Sequence, residues 1–561
     1  MVDLITTLAL VFISAGALLL IANHFSLSSV PFYILAGIVV GGLGFIDQPE
    51  LLELAQWGIA FLVFVFGVSL DFSSLGTVIR DGEIMTGVQI LVIGPSSFGV
   101  GLLLGFAPLD ALYFSVAATL SSTIVGTGLR KADIRDNLVH GRLAKSVHFL
   151  QDILAVVLIL VVGTEAFVAD NVAMNLGYGV MLLAAAGIVH RYLFDQLSRL
   201  SAGSQELMLM TSISILIAFL AFAEFIGLSI VVGAFAAGLA IKREVSNLGM
   251  LNGIESIKDF FATIFFVTIG ALVSTPTLDV LVVSLTLIAL TAIIKPLVMI
   301  VTLLWEGYDA RTASLTSFSL DQVSEFALFI AIGALIEGAI SSTLFDAIIL
   351  AAALTMITSA YTRKHDHQLY DRLLRHLVGR AQTRKIDERS RITSLPTDPI
   401  VIAGFGRQGR RIAHACKEAG RECVVIENDP AMLSSLSEQC DNYVFGDAMH
   451  SYTWEKAGLD EARLVVSTIN QRPVSERILQ FETNADVILR ADDAGDARAL
   501  LDQGALYVAV PDVLAADQLV ERVSAVIDDP DSIRNVEPEH REELQTLSEL
   551  GFSSLADEDP G

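Results

Sequence analysis

The stretch Val147-His148-Phe149-Leu150-Gln151-Asp152-Ile153-Leu154 places a carboxylate inside an apolar run. That run covers residues 146–166, and a helix needs roughly 20 mainly apolar residues to cross a bilayer. A charge in mid-span costs at least ~2.5–3.5 kcal/mol on insertion scales, so Asp152 is a candidate functional residue. Further apolar runs lie on both sides. The stretch therefore predicts a polytopic α-helical membrane protein with a polar site among its helices.

About thirteen apolar runs are long enough to span, and all of them lie before residue 365. The predicted spans are residues 5–22, 30–46, 53–70, 85–107, 110–129, 146–166, 172–190, 206–225, 228–241, 259–274, 279–304, 313–336 and 342–362. The first run has no preceding basic residue and no small-residue cleavage site, which favours a membrane helix over a signal peptide.

The rest of the chain has an ordinary soluble composition. The whole chain of 561 residues is 53% hydrophobic and 17% charged, whereas soluble domains are about 45–50% apolar and about 25% charged. Residues 1–365 hold 15 basic and 26 acidic side chains, which leaves 21 and 36 for the remainder. This acid excess disfavours nucleic-acid binding, because phosphate contacts need clustered Lys and Arg.

Basic residues in the short loops indicate the orientation, because they stay on the cytoplasmic side. One alternate set of loops holds no Lys or Arg. The other set and the end of the last span hold Arg80, Arg130, Lys131, Arg135, Arg142, Lys145, Arg191, Arg199, Lys242, Arg243, Lys258, Arg311, Arg363 and Lys364. We expect a multi-pass plasma-membrane protein with its N-terminus outside and its C-terminal part in the cytoplasm.

Three more charged residues lie within spans, and two spans carry polar interruptions. Lys295 lies in the eleventh span, and Asp321 and Glu325 lie in the twelfth. The fifth span contains Ser122 and Thr123 in the stretch Thr119-Leu120-Ser121-Ser122-Thr123-Ile124-Val125-Gly126-Thr127-Gly128. Corresponding interrupted helices in two halves of a transporter indicate a midplane binding site. We predict inverted repeats that pair spans four to six with spans eleven to thirteen.

Asp152 has the chemistry of an exchange site. A carboxylate in a partly dry cavity can hold a proton or a hard cation such as K⁺ or Na⁺, but not readily both. Lys295 is a candidate counter-charge that releases Asp152 when the cation arrives. Simpler interpretations remain open: Lys295 reaches an interface, or Asp321 and Glu325 only stabilise helix packing.

The C-terminal part carries a nucleotide-binding pattern. A strand at 399–403 leads into Gly404-Phe405-Gly406-Arg407-Gln408-Gly409, followed by a helix over 410–418 and a strand over 422–427 that ends in Glu427. This order is typical of a dinucleotide site, in which helix N-terminal amides hold phosphate and the acid accepts from ribose hydroxyls. Further strands are predicted near 442–445, 464–469, 486–490 and 506–509. Cys416, Cys423 and Cys440 form no CxxC pair and indicate neither a disulfide framework nor a zinc site.

On these residues the chain resembles the Kef-type monovalent cation:proton antiporters of the cation:proton antiporter-2 family. The blocks that carry the resemblance are 61–71, the Ser-Ser-Thr at 121–123, Gln151-Asp152, 233–239, 265–270 and 322–326. Val323-Ser324 replaces two glycines of the family pattern. Gly446-Asp447-Ala448 resembles the regulator-of-potassium-conductance (RCK, or TrkA-N) domain.

The resemblance implies a thirteen-span inverted-repeat fold, a homodimer and alternating access. It places Asp152 at the ion-binding position, and Gln151 beside it favours K⁺ and one proton for one cation. It also implies a regulatory nucleotide on the RCK domain, whether NAD(H), AMP, ADP or ATP, with Asp447 added to the site. An ancillary subunit of the kind found in this family is not encoded in the chain.

Two alternatives stay open at the level of sequence. Residues 123–128 are superficially similar to a potassium-channel filter, which makes an RCK-gated channel the second hypothesis; a glutathione-regulated potassium efflux system is the third. An enzyme is not expected, since no second catalytic domain follows. We predict a membrane domain at 1–365, a linker at 366–397, an RCK domain at 398–512 and an acidic tail at 513–561.

Overall fold

The computed structural model describes most of the chain in two compact units. The described residues are 4–25, 27–42, 48–69, 75–128, 134, 138–162, 169–200, 204–241, 248–370, 372, 386–394 and 396–528. The first unit comprises 1–306 and 312–374, and the second comprises 307–311 and 375–561. Asp71, the basic loop residues at 130, 131, 135, 242 and 243, most of the predicted linker and the tail beyond 528 lie outside the described residues.

The first unit is helical, as the apolar runs predict, because a bilayer requires each segment to satisfy its own backbone hydrogen bonds. In chain order its helices are Leu4–His24, Ser29–Gly42, Gln48–Ser69, Leu75–Val88, Gly94–Leu103, Pro108–Thr119, Thr123–Gly128, Val139–Val162, Ala169–Ile188, Phe194–Leu200, Gln205–Phe225, Ile230–Ala240, Leu248–Ala271, Leu278–Ala289, Lys295–Glu306, Ala310–Ser317, Glu325–Ile336, Ser342–Lys364 and Asp366–Leu369. Within the described residues, six helices are long and apolar enough to cross a membrane, judged by length and composition alone. The predicted helical membrane fold is confirmed.

Three π-helical turns join helix pairs in the described part of the first unit. Gln89–Ile93 and Leu290–Ile294 lie inside the fourth and eleventh predicted spans, whereas Val189–Leu193 begins at the end of the seventh and continues into the predicted loop. A π-turn opens the helix locally, and such turns are frequent at functional sites. Two of the three lie in spans that the inverted-repeat prediction pairs with each other.

The fifth and twelfth spans are broken, as their polar composition predicts. Leu120 is extended after the helix Pro108–Thr119, and a second short helix begins at Thr123. In the twelfth span, residues 318–324 separate two helices, and Ser324 caps the second by accepting from the Phe326 N–H. The second break forms even though Val323-Ser324 stands where the family pattern has two glycines.

The second unit holds a six-stranded sheet that is parallel throughout. The strands are β1 Ile400–Ala403, β2 Cys423–Glu427, β3 Tyr443–Phe445, β4 Leu464–Ser467, β5 Asp486–Arg490 and β6 Tyr507–Ala509. Their order is β3-β2-β1-β4-β5-β6, so the strand order reverses between β1 and β4. The helices around the sheet are Arg407–Glu418, Leu433–Gln439, Ser451–Lys456, Arg472–Leu479, Ala494–Asp502 and Pro511–Asp528. The predicted Rossmann-like domain is confirmed, with strand ends shifted by one or two residues.

Candidate ion site and nucleotide site

The two helix breaks of the first unit touch each other. Ser121 Oγ donates to the Leu320 carbonyl at 3.0 Å, so a residue of the first break meets a residue of the second. Gln322 Nε2 donates to the Ser122 carbonyl at 3.1 Å and to the Ser319 carbonyl at 3.0 Å. These side chains satisfy carbonyls that an unbroken helix would have bonded internally. The broken spans therefore form a buried polar crossing within apolar surroundings.

Asp152 lies at this crossing, on the helix Val139–Val162. It is 3% exposed, and its Oδ1 accepts a hydrogen bond of 2.6 Å from Thr123 Oγ1, the first residue after the first break. Glu325 lies near enough for its charge to act on Asp152. A buried carboxylate needs a proton or a cation to offset the cost of burial, so this position can hold either.

Lys295 connects the two breaks. It is fully buried, and its Nζ donates to the Leu120 carbonyl at 3.4 Å, to Ser121 Oγ at 3.0 Å and to the Gln322 carbonyl at 3.3 Å. An ammonium has three donors, and all three are used here. Its charge is favourable where helix C-termini expose carbonyls, which explains why a lysine is retained at this depth.

The other predicted site residues lie at the same crossing. Asp321 is buried in the second break and lies near enough to Lys295 for their charges to attract. Glu325 opens the helix that follows this break, and Ser122 is fully buried in the first. The structure therefore brings together all the ion-site residues expected from sequence, including Gln151.

Sequence reasoning missed several residues of this crossing: Thr355 and Ser359, which bond to Val323 and Gln322 of the second break, and Gln89. The side chain of Gln89 is fully buried at the start of the π-turn Gln89–Ile93, and its Oε1 accepts from Gln151 Nε2. Gln151 Oε1 in turn accepts from the Ser121 N–H at 2.9 Å. A single neutral amide in an apolar span carries no charge penalty, so it did not stand out as Asp152 did.

The glycine-rich loop of the second unit has the shape that phosphate binding requires. Gly404 has φ +93°, a conformation that favours glycine, and a side chain at Gly409 would collide with the Gly404 carbonyl. A side chain at Gly406 would meet nothing within 4 Å, so open space faces the backbone there. The helix Arg407–Glu418 starts at Gly406 with no side-chain cap, and Arg407 and Gln408 are exposed on its first turn.

Glu427 ends β2 beside this loop and is bound by backbone donors. Its Oε2 accepts from the Phe405 N–H at 2.7 Å, and its Oε1 accepts from the N–H groups of Asn428 at 2.7 Å and Asp429 at 2.8 Å. Burial raises the pKa of Glu427, while these backbone hydrogen bonds oppose the rise. Each oxygen can accept more than one bond, so the carboxylate is held in place with acceptor capacity left for a hydroxyl.

Asp447 follows β3 and is nearly buried. Its Oδ1 accepts from the Met449 N–H at 2.9 Å and lies 3.7 Å from Nη1 of Arg311, which belongs to the second unit although the helix Ala310–Ser317 continues into the first. Arg311 Nη2 also donates to Gln471, after β4, at 3.1 Å. The crevice where strand order reverses is the usual ligand position in such sheets, and these residues lie at the same carboxyl edge.

Comparisons with known proteins agree with both units. Residues 8–364 match the family described as "Sodium/hydrogen exchanger, transmembrane", and residues 400–511 match the "TrkA-N domain". Since the first match covers more than half of the chain, the chain belongs to the sodium/hydrogen exchanger family. The predicted cation:proton antiporter with a C-terminal TrkA-N domain is confirmed.

Several solved structures are similar at low identity. The sodium proton antiporter MjNhaP1 from Methanocaldococcus jannaschii is 17% identical, with 66% of this chain and 98% of that chain covered and a TM-score of 0.46. The TrkA-N domain of the inner membrane protein ybaL from Escherichia coli is 21% identical over 22% of this chain and 96% of its own, with a TM-score of 0.22. The GsuK channel bound to NAD is 15% identical over 42% of this chain and 41% of its own, with a TM-score of 0.20.

Proposed function

We propose that the chain exchanges a monovalent cation, K⁺ in preference to Na⁺, for protons by alternating access, with Asp152 as the group that holds either ion. The observation that carries the proposal is the position of Asp152, buried at the crossing of two broken helices in an exchanger-family domain. An antiporter needs one site that its two substrates cannot share, and a single buried carboxylate provides that competition.

Gln151 supports an exchange of one proton for one cation. Its amide does not titrate, and both of its polar atoms are engaged, one with Ser121 and one with Gln89. A second carboxylate at this position would add another proton or another charge to each cycle. The neutral amide also underlies the preference for K⁺, through the resemblance to potassium-linked antiporters with a Gln-Asp pair.

The oxygen atoms beside Asp152 support direct cation binding. Thr123 Oγ1 is hydrogen-bonded to the carboxylate, and the backbone becomes extended at Leu120, where the helix Pro108–Thr119 ends. Hard monovalent cations take oxygen ligands, and broken helices supply such carbonyls in transporters. Residues 123–128 themselves form a helix, so they do not adopt the extended loop that a potassium-channel filter requires.

Reconstitution of the full chain in liposomes tests this proposal. Internal pH would be followed after addition of K⁺ or Na⁺ with the membrane voltage clamped, for the wild type and for Asp152→Asn. Asp346→Asn is the matched control, because Asp346 is also a buried carboxylate but lies outside the crossing. We expect cation-driven alkalinisation in the wild type and the control, and none in Asp152→Asn.

Other outcomes of this assay are equally informative. Normal exchange in Asp152→Asn would overturn the site assignment. A proton signal that needs a protonophore and vanishes under the clamp would indicate a conductive pathway and favour the channel hypothesis. Equal responses to K⁺ and Na⁺ would remove the preference for K⁺ without affecting antiport.

We also propose that a nucleotide, NAD(H), AMP, ADP or ATP, binds the TrkA-N domain and regulates transport, and that the chain is not an enzyme. The open backbone at Gly406, the uncapped helix start and the fixed carboxylate of Glu427 support phosphate and ribose binding. Gly406→Asp would place a negative charge where phosphate approaches. Gln503→Glu, on an exposed helix end, adds the same charge elsewhere in the unit.

Calorimetry of the purified full chain with each nucleotide checks this proposal. We expect binding by wild type and Gln503→Glu, and at least about a tenfold loss of affinity in Gly406→Asp, as removal of a charge-assisted phosphate contact implies. Unchanged affinity in Gly406→Asp would contradict the phosphate cradle. Binding without any change in transport rate would contradict regulation.

We further propose a homodimer in the plasma membrane, with the N-terminus outside and the TrkA-N domain in the cytoplasm. The distribution of Lys and Arg among the loops supports the orientation. Exposed apolar side chains on the helix Pro511–Asp528 support association of two chains. No nucleic-acid partner is proposed, because the second unit carries an excess of acid.

A further inference from the structure

We infer that Gln89 is a positioning residue of the ion site and that it sets cation affinity through Gln151. The inference rests on the proposed antiport function and deepens it. Gln89 does not contact Asp152 in any described hydrogen bond. Its role follows instead from a chain of hydrogen bonds that begins at the fourth span and ends at both helix breaks.

The chain of hydrogen bonds runs through four residues. Gln89 Oε1 accepts from Gln151 Nε2, and Gln151 Oε1 accepts from the Ser121 N–H. Ser121 Oγ then donates to the Leu320 carbonyl in the second break. Gln151 is adjacent in sequence to Asp152, so the amide that Gln89 orients is fixed one residue from the ion-binding carboxylate.

The hydrogen bond between Gln89 and Gln151 fixes the orientation of the Gln151 side-chain amide. The Ser121 N–H has no helical partner at the break, so it needs the carbonyl oxygen of Gln151. Gln89 presents an oxygen to the other end of the same amide and stabilises that orientation. Without this acceptor, the Gln151 NH₂ group would be buried without a partner, which favours a rotated amide and a displaced Ser121.

The backbone around Gln89 supports a functional role. Gln89 opens a π-turn in the fourth span, and Lys295 directly follows a π-turn in the eleventh. These spans correspond in the predicted inverted repeats. Both side chains are fully buried, and both bond to residues of the crossing. Each half of the unit thus uses an opened helix to bring one long polar side chain to the breaks.

The amide nitrogen of Gln89 also indicates that this side chain has a role beyond packing. In the part of the chain that the structure describes, Nε2 has no hydrogen-bond partner although the side chain is fully buried. A buried donor without a partner is unfavourable and calls for an explanation, and the hydrogen bond that Gln89 Oε1 accepts from Gln151 provides one. A residue needed only for packing would more economically be apolar.

The test uses the full chain in liposomes and five variants, two of them the single Gln151→Met and its combination with Gln89→Met. Gln89→Met keeps the side-chain length but removes the acceptor, and Gln89→Glu restores an acceptor oxygen. Gln151→Met is combined with Gln89→Met in a double-mutant cycle. Ser97→Ala is the control, because Ser97 is a fully buried hydroxyl further along the same span with no described partner.

We expect Gln89→Met to raise the apparent cation KM about tenfold with a smaller change in maximal rate, as loss of one buried hydrogen bond implies. Gln89→Glu should recover most of this affinity, and Ser97→Ala should match the wild type. In the Gln151→Met background, Gln89→Met should change KM less than about twofold, because its effect passes through Gln151.

The cation-dependent shift of the melting temperature in detergent measures cation affinity even in variants that bind the cation but do not transport it. The double-mutant cycle of Gln89 and Gln151 can therefore be completed if a variant is inactive in transport. An unchanged KM in Gln89→Met, or an equal effect with and without Gln151, would overturn the inference. These results leave antiport intact if Asp152 is still required in the wild type. Failure of the proposed antiport function would be recognised separately, because the wild type would then show no more exchange than Asp152→Asn.

Discussion

Lys295 donates to groups of both helix breaks, which makes it a structural residue as well as a charge. Lys295→Met would leave two backbone carbonyls and a buried carboxylate, Asp321, without this cation. Removal of one partner from a buried charged network costs about 3–5 kcal/mol. We therefore expect a clearly lower melting temperature in detergent.

The matched control is Lys258→Met, since Lys258 is partly exposed and its ion pair among the described residues is with its exposed neighbour Asp259. An exposed pair contributes about 0–1 kcal/mol, so this variant should melt close to the wild type. Equal melting temperatures for Lys295→Met and the wild type would show that the crossing does not depend on the lysine.

The three cysteines are expected to be unreactive in the folded chain. Burial raises the pKa of the Cys423 thiol from 9.0 to about 12 and that of Cys440 to about 11, and it also raises the pKa of Cys416. Only the thiolate attacks. At pH 8 we expect labelling by a disulfide reagent to be at least about a hundredfold slower in the native chain than in denaturant.

The same shifts fix the sign of a pH effect. A thiol whose pKa is higher in the folded state stabilises that state below pH 9, and this contribution is lost as the pH rises from 9 towards 12. Glu438→Cys supplies an exposed thiol on a neighbouring helix as a positive control for labelling. Rapid reaction of a native cysteine would contradict the buried cluster.

The residues of the candidate ion site differ in how readily the sequence reveals them. Asp152, Lys295, Asp321 and Glu325 could be predicted, because a charge in an apolar run is costly and needs a reason. Gln89 could not, because an amide there is inexpensive and its role depends on a contact with the sixth span.

At the scale of helices, glycines determine how closely elements approach. Gly238 on Ile230–Ala240 lies against Gly67 and the Phe64 carbonyl on Gln48–Ser69, with no room for a Cβ atom. Small residues allow such close packing in membranes. Gly238→Ala should lower the free energy of unfolding by about 1–3 kcal/mol, since overpacking forces backbone shifts.

Gly99→Ala is the control, because a Cβ at that helical glycine meets nothing within 4 Å. Melting of both variants in the same detergent measures the difference. If Gly238→Ala and Gly99→Ala melt together, the helices Gln48–Ser69 and Ile230–Ala240 do not rely on this contact.

The positions of helices and helix breaks could be predicted where side-chain polarity changes along the chain. They could not be predicted where the polarity stays the same. The breaks at 120–122 and 318–324 coincide with serine- and acid-rich stretches, so composition indicates them. Two of the π-turns, Gln89–Ile93 and Leu290–Ile294, lie within mainly apolar runs. A π-turn shifts the backbone hydrogen bonds by one residue, and in these two runs no marked change in side-chain polarity accompanies the shift, so periodicity does not reveal it.

At the scale of the whole molecule, the division into two units follows from composition, because spans and soluble strands bury apolar surface in different ways. Between residues 365 and 400 the sequence is polar and has no helical or strand periodicity. The boundary between the two units could therefore not be placed more narrowly from sequence. Whether two copies of the chain associate also does not follow from the pattern, since association depends on a surface and not on a core.

The helix Pro511–Asp528 offers such a surface. Its exposed apolar side chains include Val513, Val520 and Ile527 at seven-residue spacing, with Leu519 and Val523 beside them. A seven-residue repeat of exposed apolar side chains favours pairing with another helix. We expect Leu519→Glu combined with Val523→Glu to weaken the association of purified chains, because each copy would bury two charges.

Light scattering on the chain in detergent, across a range of concentrations, checks this expectation. Gln518→Glu and Asp517→Glu are controls that leave the apolar positions intact on the same exposed helix. The double variant should shift to the mass of one chain at concentrations where the controls stay paired. If it stays paired while its nucleotide affinity is unchanged, the contact between copies lies elsewhere, and the apolar positions of this helix serve another purpose.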